Sequence, residues 1–306
     1  MESTETQAAA PEAEPEAPPR QTTPFLVLQF FIFPMAIVAV CVTVFVIFGL
    51  IASEGKGARA YLDEVRTGSA NRRWQAAFEL SKVLQARKDP SLAEPGFADE
   101  LVRVFSGAGV DDPRVRRYLA LALGRLGDKR AVPALVQAAD PRGDTPADPD
   151  TQVYAVWALG AIGDPEAIPI LVKLAGSEDA GLRKAAAHAL GSFPDDAARS
   201  ALLTAVNDPV EDVRWNAAVA LARRRDPAAA PVLLQMMDRR HLATIADLTS
   251  EQREEAVLQA VPAAGVVPDP ALRSALEGLR DSDPSMKVRA AARAALEGPP
   301  PGPHVS

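Results

Sequence analysis

Cysteine, histidine and aromatic residues are what this chain has least of. Its 306 residues include one cysteine and three histidines, and aromatic letters make up 5%. A lone Cys41 excludes an internal disulfide framework, and its place inside an uncharged apolar run marks it as a small packing residue rather than a redox group. Positive charge is not in surplus either. The net charge is −7, and the first 24 residues hold five Glu against the single Arg20, which leaves the remainder near −3. Such a body offers no excess of cations to neutralise phosphates, so no nucleic-acid partner is expected. Nor is there a GxSxG nucleophile turn, a Cys-His arrangement or a GxxxxGK phosphate loop.

What the chain has instead is repetition. RRWQAAFEL at Arg72–Leu80 returns as VRWNAAVAL at Val213–Leu221. Between them the same word recurs, opening at Val115, Thr151 and Leu182 and closing on Leu123, Leu159 and Leu190. The interval is 36 residues from Val115 and then 31, held without a gap from Thr151 to Val213. Five residues after each closing Leu stands Asp128, Asp164, Asp195 or Asp226, and seven beyond each Asp comes Leu135, Leu171, Leu202 or Leu233. A fixed period of this length is the mark of a repeat array.

One unit can be read physically. Val115, Leu119, Leu123 and Leu126 are spaced by four, four and three, a helix face. The glycine of Gly127-Asp128 and Gly163-Asp164 suits the left-handed conformation that ends a helix, and Asp can cap the next one. Pro133, Pro169 and Pro231 fall five residues past the Asp. There they would break a helix that began at the Asp, so a turn is expected before the second helix becomes regular. Both glycines of GRLGDKR, Gly124–Arg130, are read here as landmarks at helix ends. Two short helices per unit cannot bury their apolar faces alone and must stack on their neighbours.

VRRYLALALGRLGDKRAVPAL, TQVYAVWALGAIGDPEAIPIL and VRWNAAVALARRRDPAAAPVL together resemble the short HEAT-like repeats called PBS-lyase HEAT repeats. The resemblance spans about Asn71 to Leu296 and is strongest from Asp111 to Met237. It implies an all-α, right-handed α-solenoid of about six helix pairs. The unit Ser250–Asp281 departs most, with Arg253 in an apolar position, and Ser285–Leu296 reads as a closing cap. Such repeats also occur in enzymes. A hydroxylase class holds di-iron with repeated His-Glu pairs, but none of His188, His241 and His304 is followed by Glu. A bilin lyase class attaches chromophores to phycobiliproteins, and the repeats alone do not report that activity. DNA glycosylases of this architecture need a strongly cationic groove. Accordingly no catalytic, cofactor-binding or metal-binding residue is expected, and a lyase-like activity is the alternative to a non-catalytic scaffold.

The ends are different in character. Residues 1–24 read as a disordered acidic Pro/Ala-rich tail and 299–306 as a disordered Pro-rich one. Phe25–Ala52 runs 28 residues without a charge, which predicts a single transmembrane helix at ~1.5 Å per residue against a ~30 Å hydrocarbon core. Lys56, Arg59 and Arg66 follow it and only Arg20 precedes it, so the charge rule places the repeats, residues 70–298, in the cytoplasm. Residues 53–69 read as a juxtamembrane spacer in which Tyr61, Leu62 and Val65 could form one short amphipathic helix. Pro141–Asp150 carries about five residues more than its counterparts, which stacking would force outward into a loop.

Two columns remain. Arg73, Arg116, Arg183, Arg214 and Arg289 share one position, open to reading as an anion ladder or as structural pairs with an Asp or a helix C-terminus. Recurrence at the rhythm of the fold favours structure. Trp74, Trp157 and Trp215 on first helices are read as packing between units. On the second helices, the residues one and four places past the Pro column predict a solvent stripe: Ala134, Ile170, Ala201 and Val232, then Gln137, Lys173, Thr204 and Gln235. Small, mildly apolar and uncharged except for Lys173, this stripe is the candidate partner-binding groove of a scaffold or accessory subunit that binds protein at the membrane.

Overall fold

The computed structural model describes residues 32–52, 56–108, 112–140 and 148–298. The acidic tail, the Pro-rich tail and the core of the expected long loop lie outside the described residues. Among the described residues every regular element is helical, and the chain divides into two compact units, Met1–Gly55 and Lys56–Ser306.

In the first unit the described element is α1, Phe33–Ala52. Here the structure corrects the sequence reading: among the described residues no helix is long and apolar enough to cross a membrane. The expectation rested on a continuous Phe25–Ala52 helix, and residues 25–31 lie outside the described residues. The single-pass membrane assignment and the cytoplasmic placement drawn from it are withdrawn.

The second unit is the repeat array. Its first helices are α3 (Ala70–Ala86), α5 (Pro113–Leu126), α7 (Pro149–Ile162), α9 (Ala180–Leu190), α11 (Glu211–Arg223), α14 (Ser250–Val266) and α16 (Met286–Glu297). Its second helices are α4 (Phe97–Gly107), α6 (Val132–Ala139), α8 (Ile168–Ala175), α10 (Asp196–Ala205), α12 (Ala230–Met237) and α15 (Pro270–Ser282). Two elements lie outside that alternation. Helix α2, Ala58–Thr67, occupies the segment read as a spacer and buries Ala58, Leu62 and Val65 completely against the array. Helix α13, Arg239–Thr244, is an insertion before the divergent unit.

The turn between paired helices resolves the proline question. Asp128, Asp164 and Asp226 each accept a hydrogen bond from the backbone N–H two residues on, and a 3-10 turn follows. The α-helix restarts at Val132, Ile168 or Ala230, which puts Pro133, Pro169 and Pro231 in its first turn, where the missing N–H has no intrahelical partner to lose. Where the column holds Ser200 instead, α10 runs directly on from the Asp195 cap with no 3-10 turn. Gly127 and Gly163 close the first helices at φ 75° and 70°. In another unit the same place is taken by Arg225 at φ 55°, a conformation that disfavours a side chain.

Stacking depends on a second glycine column, whose first member, Gly124, reads in the sequence as a helix-end landmark. Gly124, Gly160 and Gly191 lie against Ala158, Ala189 and Ala220 of the next first helix. A Cβ on Gly160 would stand 2.7 Å from the Cα and Cβ of Ala189, so the two backbones approach as closely as they do only because that Cβ is absent. At the end of the array the pattern stops. Where Ala218 and Ala222 are fully buried in α11, the matching places on α16 are Arg293 and Glu297, both exposed. That face of α16 is charged and exposed.

The Arg column is structural. Arg73 donates to the Val65 carbonyl at 2.7 Å, Arg183 to those of Ser177 and Glu178 at 3.0 and 2.9 Å, and Arg214 to Asp208 and Pro209 at 2.7 and 3.1 Å. Arg289 does the same to Asp283 at 2.6 Å, and Gln152, at the same place, to Ala139 at 3.0 Å. Arg73, Gln152 and Arg289 tie off the carbonyl end of the helix before their own, and Arg183 and Arg214 hold the segment that connects that helix to theirs. Arg116 differs, its guanidinium lying 5.5 Å from the Phe105 ring centre. Ion pairs then join successive units: Arg117 to Asp148 at 2.8 Å and Arg183 to Asp208 at 2.7 Å. Hydrogen bonds from Arg117 and Arg183 hold Asp148 and Asp208 below the ordinary carboxylate range.

Two expectations follow for thermal denaturation of the full chain. Gly160→Ala overpacks the joint and lowers stability by about 1–3 kcal/mol, whereas Gly278→Ala, with open space around it in α15, raises it by roughly 0.5–1 kcal/mol. Because Asp148 and Asp208 have depressed folded pKa values, their contribution is present above the unfolded value of about 3.9 and is lost as pH falls through the folded one. Stability therefore declines below about pH 4, and Asp208→Asn lowers neutral-pH stability by roughly 1–3 kcal/mol while flattening that decline. An unchanged acid slope in the variant would contradict the assignment.

Candidate interaction surface

The second helices present the surface singled out in the sequence, but the structure separates its two halves. Gln137, Lys173, Thr204 and Gln235 are exposed, as expected of a solvent stripe. Ile170 and Val232 are 8% and 7% exposed, and Ala134 and Ala201 are half-buried. One residue past the Pro column turns ~100° around the helix and faces the neighbouring pair. The residue four places past it stays on the same face as the proline. The exposed partners of the outer row are thus Pro133, Pro169, Ser200 and Pro231. In the sequence these prolines mark the helix start, and their exposure becomes legible only once the pairs are stacked.

Two hollows lie along this row. Between α6 and α8 a cavity of about 590 Å³ is lined by Pro133, Val136, Gln137, Pro169 and Ile170, with Glu166 and the ion pair of Lys173 and Asp140 (2.6 Å) at its border. Between α8 and α10 a smaller one of about 360 Å³ is lined by Val172, Ala175, Ala197, Ser200, Ala201 and Thr204. Both are open and apolar-floored; Asp140, Glu166 and Lys173 border the first, and no charged side chain lines the second. Val232 and Gln235 line neither of them. The sequence reading missed Asp140 and Glu166, which lie at helix ends outside the helical period used to find the stripe.

Among the described residues no group of three or more His, Cys, Asp or Glu side chains is placed to hold a metal ion. His188 lies on a first helix, where burial and the nearby Arg223 hold its imidazole below the ordinary histidine value. His304 lies outside the described residues. Trp215 is buried between units and Trp74 carries the Arg114 guanidinium 4.7 Å from its ring centre, but Trp157 is exposed.

Comparison with known proteins agrees with this geometry. The sequence profile of HEAT repeats matches residues 103–191, 143–212 and 176–246, and no curated protein sequence matches the chain. Among solved structures, the complex of CpcE and CpcF of phycocyanin lyase from Nostoc sp. PCC7120 aligns over 80% of this chain and 97% of that one, at 22% identity and a TM-score of 0.51. Human deoxyhypusine hydroxylase in complex with glycerol aligns over 78% and 94%, at 20% identity and a TM-score of 0.33. A designed armadillo repeat protein in complex with the peptide (KR)4 aligns over 78% and 97%, at 18% identity and 0.41. The first of these likenesses concerns the fold alone. The helix pairs, their period and their profile match show that the chain carries HEAT repeats in an all-helical solenoid-like array.

Proposed function

We propose that the chain is a scaffold or accessory subunit that holds a partner protein along its second-helix row, with no chemistry of its own. The carrying observation is the pair of adjoining hollows that share α8, apolar in floor and open along their length. A segment of a partner laid across α6, α8 and α10 would seat apolar side chains in the hollows and meet Gln137 and Thr204 at the border. Wound in the right-handed sense that the repeat type implies, the second helices form the concave side, where such arrays take their partners. Enzymatic readings need convergent polar groups aimed at one point. Here the polar groups are dispersed, and Lys173 is engaged by Asp140.

The test begins with capture of partners by the full-length chain and identification by mass spectrometry, followed by affinity measurement with the identified protein. Lys173→Glu combined with Thr204→Glu places charge at both hollows on exposed positions. It should weaken that affinity by tenfold or more, about 1.4 kcal/mol, with stability changed by less than about 0.5 kcal/mol. Affinity that survives the double variant removes the row as the binding surface. Covalent attachment of a bilin to a phycobiliprotein subunit by the purified chain would establish the lyase-like alternative in its place.

A further inference from the structure

The first helices carry another surface that the second-helix row does not explain. Phe78 and Trp157 are 37% and 36% exposed. Both stand six residues after their unit's opening position, and Leu121 holds the same place on α5 between them. Since α3 packs on α5 and α5 on α7, the three fall in one line. Tyr118 extends the line toward α3, its ring centre 5.1 Å from that of Phe78 at 62°. The Trp157 ring reaches Gly124, where a Cβ would stand 2.9 Å from it, so the small residue that lets the helices approach also makes room for the indole at the joint. The result is a continuous strip of aromatic and aliphatic surface across three helices.

One border of the strip is cationic. Arg87 and Lys88 follow α3, Arg125 is in the last turn of α5, and Lys129 comes just after it. Arg87 reaches the Arg125 carbonyl at 3.5 Å, which draws the two helix ends together. Arg125 donates to the Ser81 carbonyl at 2.7 Å and has no carboxylate beside it. Among the described residues Lys88 and Lys129 form no ion pair, and both are exposed. The nearby acids are committed elsewhere: Glu79 to Lys82 at 3.0 Å, Asp128 to Arg130 at 2.6 Å, and Asp89 to the backbone of Ala58 at 2.7 Å. In a chain of net charge −7, an uncompensated positive border next to exposed rings is a local exception.

We infer that this strip docks an acidic segment of a partner protein, apolar side chains lying on Phe78, Leu121 and Trp157 and carboxylates reaching the cations. Apolar contact supplies affinity, and the charges select and orient an acidic over a basic segment. The test uses the full chain and a dye-labelled peptide of Glu interleaved with Phe and Leu, read by fluorescence anisotropy against the same peptide with every Glu replaced by Lys. The acidic peptide should bind at least ~10-fold tighter, and more weakly as salt is raised. Lys88→Glu with Lys129→Glu should remove the preference at unchanged melting temperature, and Phe78→Ser, which also gives up the Tyr118 ring contact, should weaken binding of the acidic peptide at temperatures where the variant stays folded. Lys173→Glu, on the second-helix row, should leave binding intact, which separates this inference from the preceding proposal. Equal binding of the two peptides, no binding, or a preference that persists in the double Lys variant would overturn it.

Discussion

The structure turns on how closely the backbones of successive first helices approach. At Gly124, Gly160 and Gly191 the space for a Cβ is taken by an alanine of the next unit, and that contact sets the distance between units along the array. Apolar burial supplies the driving force, since Leu119, Leu123, Leu159 and Leu190 are fully buried, but burial alone is non-directional. The small-residue contact is what makes one spacing better than others. Interiors pack at crystal-like density, so a joint fixed to a few tenths of an ångström fixes the helices on both sides of it.

From that spacing the surfaces follow. The hollows on the second-helix side lie between α6 and α8 and between α8 and α10 because those helices are carried at the interval set by their first-helix partners. The aromatic strip on α3, α5 and α7 has the same origin, with Trp157 reaching the very glycine that forms the joint. The carbonyl contacts of the Arg column and the pairs of Arg117 with Asp148 and Arg183 with Asp208 orient each pair against its neighbour. Geometry at the joint and polar contacts at its border together convert a sequence period into surfaces of fixed shape.

Much of this was legible in the letters, for identifiable reasons. The period of 31 and the Asp and Pro columns predict helix pairs and their caps because those residues act on their own backbone. Ser200, in place of proline, even marks the one pair of this set without a 3-10 turn. What could not be read depends on contacts between units. Gly124 looked like punctuation because its neighbour Ala158 is 34 positions away. Ile170 and Val232 were assigned to solvent because one helix considered by itself does not show that the next pair covers them. Leu62 sat in a segment too short and polar for a confident helix until α3 supplied its partner. The transmembrane reading of Phe25–Ala52 used hydropathy over a length that the described helix does not reach.

The most direct test of this account is native-state hydrogen exchange along the array with rising denaturant, because it asks whether the joints bind the units into one cooperative block. Amides of α5, α7, α9 and α11 should exchange through a common opening of equal free energy, with α16, whose outer face is charged, opening earlier. If α7 or α9 exchanged through an opening of its own at lower free energy while its neighbours stayed protected, the glycine–alanine joints would not be what holds the array together.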